Sequence, residues 1–146
     1  PYLFSTMSLA PQNFVTLMVM GGVFERFPAL RFGIIELGAH WLAPLALHLD
    51  NTFKIFSRRF KGVLELLPSE YIRRNIRVTP YRIENIADHI ERYGLSECYC
   101  YSSDFPHPEG RQDPIKDFDT SISKMGPTIN EKFFCKNGEW VLPAFS

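Results

Sequence analysis

Three short apolar runs, each set between helical periods, constrain this chain more than anything else in it. Arg31 to Glu36, R-F-G-I-I-E, reads as a buried strand that ends on a carboxylate, and Gly38 permits a sharp turn out of it. Ile76 to Thr79 is a second extended piece. Cys98 to Ser103 is a third, built of strand-forming Cys and Tyr residues with a break at Gly94 upstream. The order of elements is helix, strand, helix, strand, helix, strand, helix, helix. Strands that alternate with helices imply right-handed crossovers and a parallel sheet, so the fold class is α/β. Three strands in 146 residues fall short of an eightfold barrel, which typically takes ~250 residues. The absence of a low-complexity linker or repeat makes residues 1–146 a single domain.

The helical periods fill the intervals. Pro11 suits a first turn, after which Phe14, Leu17, Met18, Gly21 and Phe24 share a face, and Pro28 ends the helix. The next helix runs from about Trp41 to Phe60. Leu42, Leu45, Leu49, Phe53, Phe56 and Phe60 form its stripe, and Asp50, Lys54 and Arg58 fall away from it. Pro68 to Arg74 is a short helical turn. Ile83, Ile86, Ala87 and Ile90 mark a helix stopped by Gly94. Asp113 before Pro114 is an N-cap, with Ile115, Phe118, Ile122 and Met125 facing inward. Thr128 to Glu131 has capping-box spacing and opens a last helix through about Lys136, which Gly138 ends. Trp140, Leu142 and Pro143 form an apolar tail that packs back.

Composition excludes several classes. The formal net charge is zero, so nothing favours nucleic acid as a partner. The apolar stretch from Phe14 to Phe27 is interrupted by Glu25 and Arg26 and is too short to span a bilayer, so no membrane role is expected. The three cysteines, Cys98, Cys100 and Cys135, are odd in number and lack C-x-x-C spacing. They read as reduced thiols of a cytoplasmic protein, two of them packed in a strand, and not as a zinc–cysteine site.

Chemistry points to the third run and its loop, C-Y-C-Y-S-S-D-F-P-H-P-E-G, from Cys98 to Gly110. Pro106 and Pro108 lack backbone donors, so no regular ladder continues past Asp104. A carboxylate at the C-terminal end of a strand is where α/β proteins place reactive groups. The plainer reading of Asp104 is a turn or N-cap aspartate. Glu36, at the end of the first run, is either a second site carboxylate or a strand end that meets solvent. His107 by itself reads as a surface loop histidine and His40 as a surface residue at a helix start, and His48 and His89 lie on helices in structural or solvated positions.

Three segments resemble one family. G-G-V-F-E-R-F-P-A-L-R-F-G-I-I-E-L-G-A-H-W (Gly21 to Trp41), L-P-S-E-Y-I-R-R-N (Leu67 to Asn75) and S-S-D-F-P-H-P-E-G (Ser102 to Gly110) are similar, in this order and spacing, to the amidohydrolase-2 family. That family holds metal-dependent hydrolases and decarboxylases related to aminocarboxymuconate-semialdehyde decarboxylase. The resemblance implies the C-terminal half of a (β/α)8 TIM barrel, with the three runs as its last three strands. It implies a divalent metal, as a rule zinc, with Asp104 as a metal ligand and catalytic group. Glu36 stands where many members have a histidine that polarises water, a departure that some members share, and is the second catalytic candidate. His107 and His40 are the implied substrate-binding residues. The family's first-strand His-x-His pair and its fifth-strand histidine would lie before Pro1, so the ligand set is incomplete in this chain. The implied function is hydrolysis or decarboxylation of a small organic acid, amide or lactone. The alternative is an inactive barrel half that serves in assembly, either as a homo-oligomer or paired with a missing N-terminal half.

Overall fold

Backbone pairing, not apolar content, decides how long each strand becomes. In the computed structural model, which describes residues 2–107 and 113–142, β1 (Phe32–Ile34) and β2 (Ile76–Val78) pair in parallel. Phe32 lies opposite Ile76, Gly33 opposite Arg77 and Ile34 opposite Val78. The third run joins at one parallel bridge, Val78 opposite Tyr99. There the Val78 N–H donates to the Cys98 carbonyl at 2.8 Å and the Cys100 N–H to the Val78 carbonyl at 3.0 Å. Tyr101 then turns away from the sheet, and its N–H donates to the Phe133 carbonyl at 2.9 Å. The expected parallel order is present, but the outer runs are ladders over only part of residues 31–36 and 98–103.

Helices precede and connect these strands. α1 (Tyr2–Thr6), α2 (Leu9–Met20) and α3 (Val23–Arg26) lead into β1. α4 (Leu42–Ile55), α5 (Ser57–Phe60) and α6 (Pro68–Asn75) cross to β2, and α7 (Ile86–Tyr93) crosses to the Tyr99 bridge. Ile34, Ile76, Val78 and Tyr99 meet Val15, Leu42, Leu49, Ile72, Ile86 and Ile90 in one buried cluster. Each such aliphatic side chain contributes roughly 1.5–3 kcal/mol on burial.

Several helices differ from the sequence expectation, each for a local reason. The buried stripe of α2 is Pro11, Val15 and Val19, while Phe14 and Leu17 point outward, Leu17 with 72% exposure. Phe14 instead stacks on Phe32 at 5.2 Å, outside the core. The helix expected to continue to Pro28 breaks at Gly22, whose φ of +70° no other residue adopts readily. A Cβ there would also lie 2.9 Å from the Val63 carbonyl oxygen. The long helix keeps Leu42, Leu45 and Leu49 buried but ends at Ile55, which leaves Phe56 exposed. Asp50 does not simply face water, since it accepts the Ser69 N–H at 2.8 Å at the start of α6. Ile83 lies ahead of α7 and is exposed.

The C-terminal part begins as expected. Asp113 accepts the Lys116 N–H ahead of α8 (Pro114–Ile122), and Phe118 and Ile122 are buried, whereas Ile115 is exposed. A short 3-10 turn, Ser123–Met125, leads to α9 (Pro127–Glu131). Thr128 lies inside α9, whose cap is Gly126, so the capping box does not form. A wide π turn, Lys132–Lys136, continues into α10 (Asn137–Val141), and Gly138 does not stop the helix. Asn137 explains this: its buried amide donates to the Ser96 and Tyr99 carbonyls at 2.8 and 2.7 Å, which ties the helix to the sheet. Of the expected apolar tail, Trp140 packs back, its ring centroid 3.8 Å from the Arg77 guanidinium carbon and 5.6 Å from that of Arg31, whereas Leu142 is exposed. Pro108, Gly110, Gln112 and Pro143 lie outside the described residues.

Candidate functional site

Parallel order brings the ends of the strands to one edge of the sheet. Glu36 follows β1, Asp104 follows the run that bridges at Tyr99, and His107 lies one turn beyond Asp104. One ligand atom from each of Glu36, Asp104 and His107 lies within 4.8 Å of the others. His107 Nδ1 is 3.8 Å from Glu36 Oε1, with side chains 62% and 56% exposed. The His107 N–H donates to the Asp104 carbonyl at 2.9 Å, which closes a backbone turn between the two residues.

The backbone at both acids is unusual. Glu36 has φ +61° and Asp104 φ +55°, the left-handed region that non-glycine residues seldom occupy. Glu36 is held there at two points: its N–H donates to Thr79 Oγ1 at 3.1 Å, and its carbonyl accepts the Tyr81 hydroxyl at 2.6 Å. Non-glycine residues in this region cluster at ligand-handling positions, because the surrounding structure must overcome the strain. Beneath the acids is a cavity of about 120 Å³ with Thr79, Tyr81, Ser102 and Ser103 in its walls.

This arrangement suits a cation. Two ligand atoms at ~2.1 Å from a tetrahedral zinc stand roughly 3.4 Å apart, so the trio would have to close by up to about 1.4 Å to share one ion. Two carboxylates and an imidazole match oxygen- and nitrogen-seeking divalent metals. The cysteines do not contribute. Burial pushes the Cys98 thiol up to about 12 and that of Cys100 to about 11, so both stay protonated packing groups.

The trio gathers three of the four residues singled out in the sequence. His40 is held elsewhere: its Nδ1 meets Glu84 Oε1, and it lines a neighbouring hollow of about 310 Å³. Phe4, Tyr81 and Ile83 wall both cavities, so His40 stands one aromatic layer from the trio. Sequence reasoning missed Thr79, Tyr81 and Glu84. Their only signal is position, in the seven residues that follow β2, since a threonine, a tyrosine and a lone acid before a helix carry no motif of their own.

No family model and no curated protein matches the chain. Solved structures do. An amidohydrolase of Mycobacterium avium subsp. paratuberculosis K-10 superposes with a TM-score of 0.76 at 21% identity, over 92% of this chain and 34% of that one. The 5-carboxyvanillate decarboxylase of Sphingomonas paucimobilis superposes with a TM-score of 0.61 at 24% identity, over 85% of this chain and 37% of that one. The chain thus shares with these two proteins an α/β fold with a parallel sheet and spans about a third of the length of each. The family resemblance carried by the three sequence segments and the likeness in fold agree. No helix among the described residues is long and apolar enough to cross a membrane.

Proposed function

We propose that this chain is the C-terminal half of a metal-dependent amidohydrolase-2 barrel, one that hydrolyses or decarboxylates a small organic acid, amide or lactone. The observation that carries the reading is the convergence of Glu36, Asp104 and His107 at the C-terminal edge of a parallel sheet. A divalent metal, zinc foremost, would supply Lewis acidity toward a carbonyl or a water molecule. Asp104 is the ligand and proton acceptor, and its backbone contact with His107 closes the turn between them. Glu36 orients the attacking group or takes over proton transfer from the missing histidine. His107, exposed at the rim, meets a substrate carboxylate, and His40 reaches the remote end of a longer substrate across the Tyr81 ring. The free thiols fit a reducing, cytoplasmic setting.

The test is turnover by the full-length protein, wild type beside Asp104→Asn, with zinc or manganese and a panel of aromatic and aliphatic acids, amides and lactones. Carbon dioxide release separates decarboxylation from hydrolysis. Asp104→Asn keeps shape and an acceptor oxygen but loses charge and basicity, so kcat should fall on the order of 10²-fold or more with an unchanged circular dichroism spectrum. Near-wild-type turnover with an intact fold would sink the role of Asp104.

A second reading, a half-barrel that serves in assembly, is favoured by a specific surface. β1 has a partner on one side only among the described residues. Beside its free edge lies a groove walled by Pro11, Phe14, Phe32 and Ile35, and Leu9, Leu17 and Ile35 are exposed. An open edge next to apolar surface invites a further strand. A complementary N-terminal half is the occupant that both readings share.

A further inference from the structure

Glu84 lies outside the trio, yet two loops converge on it. Its side chain is 8% exposed. Oε2 accepts the Ala39 N–H at 2.9 Å and the Tyr81 N–H at 3.0 Å. Oε1 accepts the His40 N–H at 3.3 Å and meets His40 Nδ1. One of these loops leaves β1 and the other leaves β2. Gly38 makes the approach possible, because at its φ of +67° a Cβ would fall 2.8 Å from Glu84 Oε1 and 3.1 Å from the Tyr81 ring. A carboxylate that gathers three backbone N–H groups does for two loops what ladder bonds do for two strands.

From Glu84 the contacts run on to Glu36. The Tyr81 backbone is fixed by Glu84, and the Tyr81 hydroxyl donates to the Glu36 carbonyl. Thr79 holds the Glu36 N–H from the other side, and the Thr79 N–H itself donates to the Ile34 carbonyl at 3.2 Å. Glu36 is thereby gripped by both of its own peptide groups in a left-handed conformation that a glutamate does not adopt readily. Released, its backbone would relax to an extended or helical φ and carry the carboxylate away from Asp104 and His107.

We propose that Glu84 is a positioning residue for the trio: acting through Tyr81, it locks the loops after β1 and β2 together and holds Glu36 in the conformation that turns its carboxylate toward Asp104 and His107. The consequence for cation binding rests on the reading of the trio given above; the lock itself does not. Glu84→Gln is the informative change, because the amide keeps the shape but turns an NH2 group toward donors that need an acceptor. Tyr81→Phe is milder, removing one hydroxyl and leaving the backbone bond to Glu84 in place.

The experiment is amide hydrogen exchange by NMR on the 146-residue chain, wild type and both variants, followed by titration with Mn²⁺ read by EPR. In Glu84→Gln the Glu36, Ala39 and Tyr81 amides should exchange about tenfold faster, with Leu49 and Ile72 in the core helices unchanged. In Tyr81→Phe the Glu36 amide should quicken while Ala39 does not. Mn²⁺ affinity should fall about tenfold in both. A Glu36 amide unchanged in both variants overturns the proposal, and so does a Leu49 amide that quickens as much as Glu36, which would make Glu84 a general stabiliser. Should Glu84→Gln not fold, Tyr81→Phe decides by the same amide. Wild-type protein that takes up no Mn²⁺ counts against the cation reading alone, and the lock then stands or falls on the exchange rates.

Discussion

At the scale of single residues, the two acids of the trio combine unfavourable backbone with useful placement. A left-handed φ costs a residue with a Cβ about 1 kcal/mol relative to glycine, the reverse of the usual order in which alanine is the more stable. Glu36→Gly should therefore be more stable than Glu36→Ala by about 1 kcal/mol, and Asp104→Gly more stable than Asp104→Ala by a similar amount. Urea midpoints at equal m-values read this directly. Alanine equal to or better than glycine at both positions would mean that neither backbone is constrained as described. In the full-length protein, Glu36→Gln against Asp104→Asn divides the chemistry. A smaller loss in kcat for Glu36→Gln assigns Glu36 to orientation, and a larger one assigns it the proton transfer. His107→Ala divides two roles at the exposed rim: a substrate contact made equally in ground and transition states raises KM with little change in kcat, whereas a ligand of the trio lowers metal content and kcat together.

At the scale of elements, the sequence was most informative where apolar period and chain breakers agreed. Ile86 and Ile90 before Gly94, Leu42 to Leu49, and Asp113 before Pro114 all sit where pattern and capping placed them. It was least informative where a distant partner decided the outcome. No local signal shows that Asn137 will bond the Ser96 and Tyr99 carbonyls and carry a helix through Gly138. Nor does one show that Val15 and Val19, not Phe14 and Leu17, will face the core. The candidate site divides in the same way: the nearness of Glu36 and Asp104 follows from their places at strand ends and that of His107 from its place in the same loop, whereas Glu84 acquires meaning only once two loops fold onto it. A further tie between elements gives a pH prediction. Burial alone would raise the Glu97 carboxyl, but its bond from Lys132 at 2.7 Å and the nearby Arg73 outweigh burial and hold it below the ordinary carboxylate range. A depressed folded-state pKa stabilises above the unfolded value and is lost as pH falls through the folded one. The pair is about a third exposed, so its contribution stays under about 1 kcal/mol after screening. Lys132→Met should lower stability at pH 7 by that small amount and leave it unchanged at an acid pH where Glu97 is protonated in the folded protein. An equal loss at both pH values would assign the effect to packing of the lysine stem.

At the scale of the whole molecule, the open edge of β1 and the exposed trio bear on the proposed half-barrel in the same way. The solved structures that share the fold are more than twice as long, and in the proposed half-barrel the apolar groove beside Phe14 and Phe32 is the surface that additional strands would cover. The trio lies on the rim of the same sheet, with Glu36 and His107 more than half exposed. Exposed ligands lose side-chain freedom when they close on an ion, and here three of them must do so without a covering wall. Metal affinity depends on ligands already placed by the fold and on second partners that fix them. Glu36 has such support in its backbone through Thr79 and Tyr81, while its carboxylate meets only the exposed His107 ring, at 3.8 Å, among the contacts described above. The 146-residue chain by itself should therefore bind zinc weakly and lose it on dialysis, while a protein that adds the N-terminal histidines should retain about one zinc per chain. Metal analysis after dialysis, on both forms and at equal protein concentration, checks this. Stoichiometric zinc on the short form would make Glu36, Asp104 and His107 a sufficient site, and Asp104→Asn in that form would then have to release the metal.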